Sequence, residues 1–424
     1  MGWTLALLPL VLLVLGFPFF VILLATAASA LFVFSDVPAT VIPQVIFSSI
    51  DKYALLAVPF FIFAGDLMGS GKVSRSLVQI ATSLIGGVRG SLPLASLGTA
   101  TLFGAISGST AATTAAVGGV MYKRLREEGY DESFSSALFV SAGAIANLIP
   151  PSIGFILYGI AAETSIVRLF AAGIGPGLVM AFFFGGYVYA YAVRHAKKAG
   201  VPFNVGRLFT ALRHGLWALG APVIILGGIY SGVFSPTEAA GVAAVYGIFL
   251  AMVVYREASA AAVFETAARS LYLTAKIFVI VAAAGVYSWL LTVGGYAAAS
   301  VAFIESLHAA PWAVLLAINV LLLVVGCFLD TASSILVLTP LLAPVARNMG
   351  VDPVHFGVIV VMNLSIGTFT PPFGIDIFVG QAVFRAKLSN IYAGLVPFII
   401  ASVLALQVVT YVPQISLWIL RYLN

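Results

Sequence analysis

Phe103-Gly-Ala-Ile-Ser-Gly-Ser-Thr-Ala-Ala-Thr113 is one of two polar segments that interrupt this apolar chain, and Gly326-Cys-Phe-Leu-Asp-Thr-Ala-Ser-Ser334 is the other. About forty residues after each comes a Pro-Pro pair, in Asn147-Leu-Ile-Pro-Pro-Ser-Ile-Gly154 and in Thr368-Phe-Thr-Pro-Pro-Phe-Gly374. Glycine and proline interrupt helices, because one is too flexible and the other lacks a backbone donor. The sequence therefore predicts four helix breaks within otherwise apolar stretches.

The spacing of these segments indicates that the chain contains one unit twice. Pro150 and Pro371 are 221 positions apart, and the same offset relates Ser109 to Asp330. The match holds over about seventy positions without a gap. We predict a first repeat over 1–200, a connecting segment with an extra span over 201–233, and a second repeat over 234–424. Interrupted segments at corresponding places in two halves point to the binding site of a secondary transporter.

The composition assigns the chain to a broad class. Of 424 residues, 62% are hydrophobic and 8% are charged, whereas soluble domains carry about 25% charged residues. Only helices and closed barrels satisfy the backbone in lipid, and runs as long and apolar as these favour helices. The fold class predicted is an all-α polytopic membrane protein, with the last span over 391–420.

The charge and the missing motifs exclude several functions. The net charge of +5 lies in short loops, so it indicates topology rather than a nucleic-acid surface. The sequence has a single cysteine and contains neither a phosphate-binding loop nor a Ser-His-Asp or His-Glu-x-x-His pattern. We therefore expect no transition-metal site, no organic cofactor, no nucleic-acid partner and no enzymatic activity.

The cations predict how the two repeats are oriented. Arg89 and Lys123 flank segment 91–126, and the most basic loop, which includes Lys197 and Lys198, is assigned to the cytoplasm by the positive-inside rule. Segment 91–126 is then a re-entrant hairpin opening to the cytoplasm, and segment 311–346 is its counterpart opening outward. Broken helices follow over 134–160 and 354–384. This pattern predicts two repeats of inverted topology.

Each half offers oxygen ligands near its breaks. Broken helices direct N-terminal partial charge at anions, while hydroxyls and released carbonyls suit a small hard cation such as Na+. The first predicted Na+ site comprises Ser107, Gly108, Ser109, Thr110, Asn147, Ile149 and Pro150. The second comprises Gly326, Asp330, Thr331, Ser333, Ser334, Thr368, Thr370, Pro371 and Gly374. The predicted substrate-binding residues are Ser109, Thr110, Pro151, Ser152, Thr331, Pro372 and Asp376.

Several charged residues in apolar segments have more than one interpretation. Asp330 is a Na+ ligand, a proton carrier or a helix cap, and Asp376 lines the cavity or a solvated crevice. Lys276 is interpreted as a side chain that extends to the membrane interface, and Asp66 as an interfacial residue. These alternatives stay open at the level of sequence.

The combined motifs resemble a known family over essentially the whole chain. Val58-Pro-Phe-Phe-Ile-Phe-Ala-Gly-Asp-Leu-Met-Gly69, Gly104-Ala-Ile-Ser-Gly-Ser109 and the two Pro-Pro segments quoted above are similar to the large permease subunit of tripartite ATP-independent periplasmic (TRAP) transporters, the DctM family. The resemblance implies Na+-driven, elevator-type uptake of an organic acid across the bacterial inner membrane. It also implies a periplasmic substrate-binding protein and a separate small membrane subunit, with Na+ at the hairpin tips and helix breaks.

Other functions remain possible from the sequence. A stand-alone symporter of Na+ and a divalent anion would need no binding protein, and a proton-coupled version would use Asp330 as the titrating group. A channel or a membrane-embedded enzyme is a more distant alternative.

Overall fold

The computed structural model describes residues 2–34, 37–38, 40–69, 71–195 and 204–423, apart from the side chain of residue 6. Every regular element in these ranges is a helix. Lys197 and Lys198 of the basic loop lie outside the described residues, as do the chain's first and last residues. Residues 201–203, where the connecting segment was predicted to begin, lie outside them as well.

The part of the chain before the gap at 196–203 contains ten α-helices. Their bounds are α1 Gly2–Val14, α2 Phe19–Phe34, α3 Val41–Ile50, α4 Ala57–Gly69, α5 Lys72–Leu84, α6 Ser91–Ser107, α7 Thr110–Glu127, α8 Glu132–Ala146, α9 Ile153–Ala161 and α10 Ile166–His195. A short 3-10 helix, Tyr53–Leu56, leads into α4.

The part after the gap also contains ten α-helices. Their bounds are α11 Val205–Tyr230, α12 Pro236–Phe249, α13 Ala260–Val293, α14 Tyr296–Ser306, α15 Pro311–Phe328, α16 Thr331–Asn348, α17 Pro353–Gly367, α18 Ile375–Phe384, α19 Leu388–Tyr411 and α20 Gln414–Leu417. A π-helical turn, Leu250–Val254, extends α12, and a 3-10 helix, Trp418–Tyr422, follows α20.

Six helices in the described ranges are long and apolar enough to cross a membrane: α10, α11, α12 with its π turn, α13, α15 and α19. A seventh span is possible if Val41–Ile50 and Tyr53–Gly69, which meet at 56°, count as one. The span predicted to run to residue 420 ends at Tyr411 instead. Pro413 is the N-cap of the short α20 that follows, and a proline has no backbone N–H with which to continue the preceding helix.

The helix bounds repeat at the offset found in the sequence. Helices α7 and α16 begin and end 221 positions apart, and so do α8 and α17. The Pro150-Pro151 and Pro371-Pro372 bonds are both cis. Segment 91–126 becomes the pair α6 and α7, and segment 311–346 becomes the pair α15 and α16.

Helices α8 and α17 form the centre of the molecule. Residues 134–146 of α8 and 354–367 of α17 are all buried. Helices of one half pack against helices of the other. Helix α8 of the first half packs against α19 of the second, and α17 of the second half packs against α10 of the first. In the same way, α7 packs against α18 and α16 packs against α9. Neither half is therefore a separate globule, and the helix breaks of one half lie close to the hairpin of the other.

The remaining helices surround this centre. The 34-residue helix α13 packs against α2, α3, α4 and α16, while α4 also packs against α12. The short helices α5 and α14 precede the two hairpins. Val73, Leu77 and Ile80 of α5 are buried against neighbouring helices, whereas α14 has no buried residue. Helices α4 and α13 thus lie beside the paired hairpins.

Candidate functional site

A cavity of about 500 Å³ lies where the two hairpins approach each other. Its lining includes residues 107–112 from the turn between α6 and α7 and residues 330–332 from the turn between α15 and α16. Ile153, Gly154 and Ile375, which open α9 and α18, also line it. The N-termini of α7, α9, α16 and α18 therefore all border one cavity, where the positive ends of the helix dipoles favour negative charge.

The turn of the first hairpin is closed and glycine-dependent. Helix α6 ends at Ser107, and Gly108 follows with φ +59°. A β-carbon on Gly108 would collide with the carbonyl oxygen of Pro151, so the turn and the following helix break touch through their backbones. Ser109 then starts α7 as its N-cap and accepts a hydrogen bond from the Ala112 N–H at 3.4 Å. Only glycine satisfies both the left-handed backbone and the close approach.

The turn of the second hairpin is built differently. Leu329 is extended, with φ −112° and ψ 151°, and Asp330 is the N-cap of α16. The Asp330 carboxylate accepts hydrogen bonds from the Ser333 N–H at 3.0 Å and from the Ser333 hydroxyl. Of the alternatives left open by the sequence, the cap is therefore present in the structure, and the carboxylate also lines the cavity.

The break between α8 and α9 is connected to the second half through Asn147. Its amide nitrogen donates to Ser365 Oγ at 2.8 Å. Its amide oxygen accepts from the Ser152 hydroxyl at 3.1 Å and from the Gly154 N–H at 3.4 Å. Because both ends of the amide are engaged, Asn147 acts here as a brace between the halves.

The break between α17 and α18 is connected to the first half through Asp376. This carboxylate is fully buried and accepts hydrogen bonds from the Thr110 hydroxyl at 2.9 Å and the Thr368 hydroxyl at 2.7 Å. Asp376 is not among the residues that line the cavity. Its burial differs from the solvated crevice considered from the sequence, and its contacts join the first hairpin to the second break.

Three buried hydroxyls near the two turns have no hydrogen-bond partner among the described residues. They belong to Ser107, Thr113 and Ser334. Thr113 and Ser334 are 221 positions apart, so each half has an unpartnered hydroxyl at the same place in its hairpin. A buried polar group without a partner is costly, and a bound cation would relieve that cost.

The structure brings part of the predicted site together at the cavity. The predicted residues that line it are Ser107, Gly108, Ser109, Thr110, Asn147, Asp330, Thr331 and Thr368. Those that do not are Ile149, Pro150, Pro151, Ser152, Gly326, Ser333, Ser334, Thr370, Pro371, Pro372, Gly374 and Asp376. Some of the second group have other partners: the Thr370 hydroxyl donates to the Ile366 carbonyl at 2.7 Å, and Gly326 lies against Gly367.

The wall opposite the hairpins contains two charged residues that the sequence analysis did not assign to the site. They are Asp66 of α4, which accepts a hydrogen bond from the Ser270 hydroxyl at 2.8 Å, and Lys276 of α13. Thr113 was also not selected. Its offset of 221 from Ser334 was the signal for Thr113, and charge inside apolar segments was the signal for the other two.

Comparison with known proteins identifies the family. The family model described as the tripartite ATP-independent periplasmic transporter, DctM component, matches residues 6–415. The large permease protein UehC of an ectoine/5-hydroxyectoine TRAP transporter from Ruegeria pomeroyi is 39% identical over 421 residues, covering 99% of this chain and 98% of that protein.

Two further comparisons concern a longer relative and a solved structure. The isethionate TRAP transporter permease protein DctMQ of Oleidesulfovibrio alaskensis is 38% identical over 96% of this chain, and the match spans 64% of that protein. The crystal structure of the Alcanivorax borkumensis YdaH transporter superposes with a TM-score of 0.65 at 14% identity, covering 98% of this chain and 99% of that one. At this identity the likeness concerns the fold alone. The family match and the relatives together show that the chain belongs to the DctM component family of TRAP transporters, as a multi-pass membrane permease and not an enzyme.

Proposed function

We propose that this permease imports a small organic acid together with Na+. The observation that carries the proposal is that both hairpin turns and four helix N-termini border the same cavity. Helix N-termini stabilise an anion, and hydroxyl and carboxylate oxygens suit a hard cation. One place can therefore hold both members of a coupled pair.

The residues around the hairpins fit Na+ as a transported ion. Ser107, Thr113 and Ser334 offer buried hydroxyl oxygens that have no partner in the described part of the chain, and Asp330 offers a carboxylate at the cavity wall. Sodium bound near a turn would place positive charge beside the substrate carboxylate. Each would then raise the affinity for the other, because coupling between two ligands is reciprocal. An inward Na+ gradient would thereby drive uptake.

We further propose that α6–α9 and α15–α18 move as one unit against a wall that includes α4 and α13. The halves of this unit are joined by the Asn147–Ser365 and Thr110–Asp376 hydrogen bonds, both of which are buried. The cavity lies at the boundary between the unit and the wall, as an elevator-type movement requires. The exchange of helix partners joins the two halves, and the distribution of cations in the sequence supports repeats of inverted topology.

The family description indicates the partners. We propose that a periplasmic substrate-binding protein delivers the acid and that a small membrane subunit completes the transporter in the bacterial inner membrane. The isethionate relative, named DctMQ, extends well beyond the matched region, which spans 64% of it.

Reconstitution tests this proposal directly. The permease would be placed in liposomes with its small subunit and candidate binding proteins, and uptake of succinate, isethionate and ectoine would be followed under an imposed Na+ gradient. Isethionate and ectoine are chosen because of the two relatives, and succinate is a simple dicarboxylate. We expect uptake that requires inward Na+ and a binding protein. Uptake that persists without the binding protein would support the stand-alone symporter instead.

One observation favours proton coupling as a second candidate. Asp376 is a fully buried carboxylate whose hydrogen-bond donors are hydroxyls, with no cation among its described partners. Proton coupling would make uptake follow a pH gradient and ignore Na+. In that case Asp376→Asn would remove the dependence on the pH gradient, whereas Na+-driven uptake would keep its dependence on Na+.

A further inference from the structure

The wall of the cavity that faces the hairpins is an apolar surface with one base. Leu273, Lys276, Ile277 and Ile280 of α13 all line the cavity, at the spacing of one helix face. Among the described residues that line the cavity, Lys276 is the one cationic side chain, and Asp66 and Asp330 are the two acidic ones. The helix face that contains Lys276 therefore forms part of the site.

The side chain of Lys276 is exposed, and its ammonium group lies beside Tyr272, which is 64% exposed and does not line the cavity. Its Nζ atom lies 4.5 Å from the ring centroid of Tyr272, one helical turn away, which is the geometry of a cation–π contact. The ion pairs found in the described ranges, Lys123–Glu127 and Arg269–Glu265, do not include it. Asp330 already caps α16 and Asp66 already binds Ser270. Lys276 thus keeps donors available for another acceptor.

An anion in this cavity needs positive charge on more than one side. On the hairpin side the four helix N-termini supply partial charge, but the opposite wall is apolar except for Asp66 and Lys276. A carboxylate or sulfonate moved from water to such a site loses hydration that only charge or hydrogen bonds can replace. Lys276 is placed to supply both from α13.

We propose that Lys276 binds the anionic group of the substrate from the α13 wall. The proposal rests on the proposed function, since it assigns a role within that site. It differs from an interfacial role, in which the lysine only extends towards lipid headgroups and any polar side chain of similar length serves as well.

The test uses the permease with its small subunit and binding protein in liposomes under an inward Na+ gradient. The probe is succinate or isethionate, whichever the wild-type transporter takes up, and the variants are Lys276→Gln and Lys276→Arg. We expect KM for the anion to rise about 10- to 100-fold in K276Q, the range for losing one charge-assisted hydrogen bond. We expect K276R to stay within about threefold of wild type, since it keeps the charge.

Lys123→Gln is the matched control, because it removes one positive charge from an exposed helix surface far along the chain from α13. It should leave KM unchanged. A structural role for Lys276 would lower the amount of folded transporter and kcat without the selective rise in KM and without rescue by arginine.

The outcomes separate this inference from the proposed function. Unchanged KM in K276Q, with Na+-driven uptake intact, overturns the role of Lys276 alone. If the wild-type transporter takes up ectoine but neither anion, KM for ectoine, which also carries a carboxylate, is measured in the same variants, and an unchanged value overturns the role of Lys276. A wild-type transporter in which no substrate is driven by Na+ removes the proposed function and, with it, the site that Lys276 was inferred to complete.

Discussion

The two hairpin turns occupy equivalent positions but have different surroundings. The first turn, Ser107–Gly108–Ser109, lies against a break in which residues 147–152 are all buried. The second turn, Leu329–Asp330, lies beside a break that includes Phe373 and Ile375, whose exposed fractions are 58% and 47%. Gly108 has φ +59°, whereas Leu329, 221 positions later, is extended.

This difference separates a turn held by backbone contact from one held by side-chain hydrogen bonds. The first turn is fixed by backbone contact with its own break and leaves little room for change. The second turn has the Asp330 carboxylate at the cavity, and the break beside it contains the exposed apolar side chains of Phe373 and Ile375.

The largest expected contrast concerns the side of the membrane that each half faces. Glu127 and Asn348 are exposed, end α7 and α16, and are 221 positions apart. In a Cys327→Ala background, the Glu127→Cys and Asn348→Cys variants should each react with a membrane-impermeant maleimide from one side of the membrane, and the two sides should differ. Labelling of both from the same side would rule out inverted repeats, and detergent-solubilised protein, in which both should react, is the control.

The next contrast tests the turns themselves. Gly108→Ala adds a β-carbon at a positive φ and against the Pro151 carbonyl oxygen, so we expect severe loss of folded protein and of uptake. Leu329→Ala, at the equivalent position, needs no change of backbone conformation and should retain fold and uptake. Fluorescence-detected size-exclusion chromatography and thermal unfolding measure both. A well-folded Gly108→Ala variant would show that the first turn tolerates change as well as the second.

A smaller effect is expected from the braces between the halves. Thr110 donates to the buried Asp376, whereas the equivalent Thr331 hydroxyl has no hydrogen bond within the described part of the chain. Thr110→Val should lower stability by about 1.5–3 kcal/mol, the range for a hydrogen bond to a charged group. Thr331→Val should change it by less than about 0.5 kcal/mol. Thermal unfolding in detergent without Na+ compares them, and equal losses would contradict the asymmetry.

The N-caps of α7 and α16 provide a weaker contrast. Asp330→Ala removes a charged cap that accepts two hydrogen bonds, while Ser109→Ala removes one bond of 3.4 Å. Loss of a cap costs about 0.5–2 kcal/mol, and we expect Asp330→Ala near the upper end. Apparent Na+ affinity in the uptake assay should fall in both variants and further for Asp330, because the carboxylate contributes a full charge. An identical Na+ dependence in wild type and both variants would remove these residues from the ion sites.

The sequence was sufficient for the local architecture but not for the contacts between halves. Clustered glycine, serine and proline are local signals, so the interruptions near Ser109, Pro150, Asp330 and Pro371 were predictable from the chain. The buried Asp376 carboxylate accepts a hydrogen bond from Thr110, which lies 266 positions away in the chain. No local sequence pattern specifies that contact. The position of Lys276 at the cavity could not be predicted for a similar reason, since it depends on which face of α13 packs towards the hairpins.

The smallest effect on stability should come from the unpartnered hydroxyls, and it is the most informative about Na+. Thr113→Val and Ser334→Ala remove buried hydroxyls that make no hydrogen bond in the described structure, so unfolding temperatures without Na+ should change little. If these oxygens bind Na+, the rise in unfolding temperature on adding Na+ should shrink in each variant, because a ligand stabilises only through its affinity for the folded state. Potassium at the same concentration is the control for ionic strength. If Na+ raises the unfolding temperature of both variants as much as that of wild type, and their stability without Na+ is unchanged, the ions bind elsewhere. If the rise shrinks in only one variant, the two halves bind Na+ unequally.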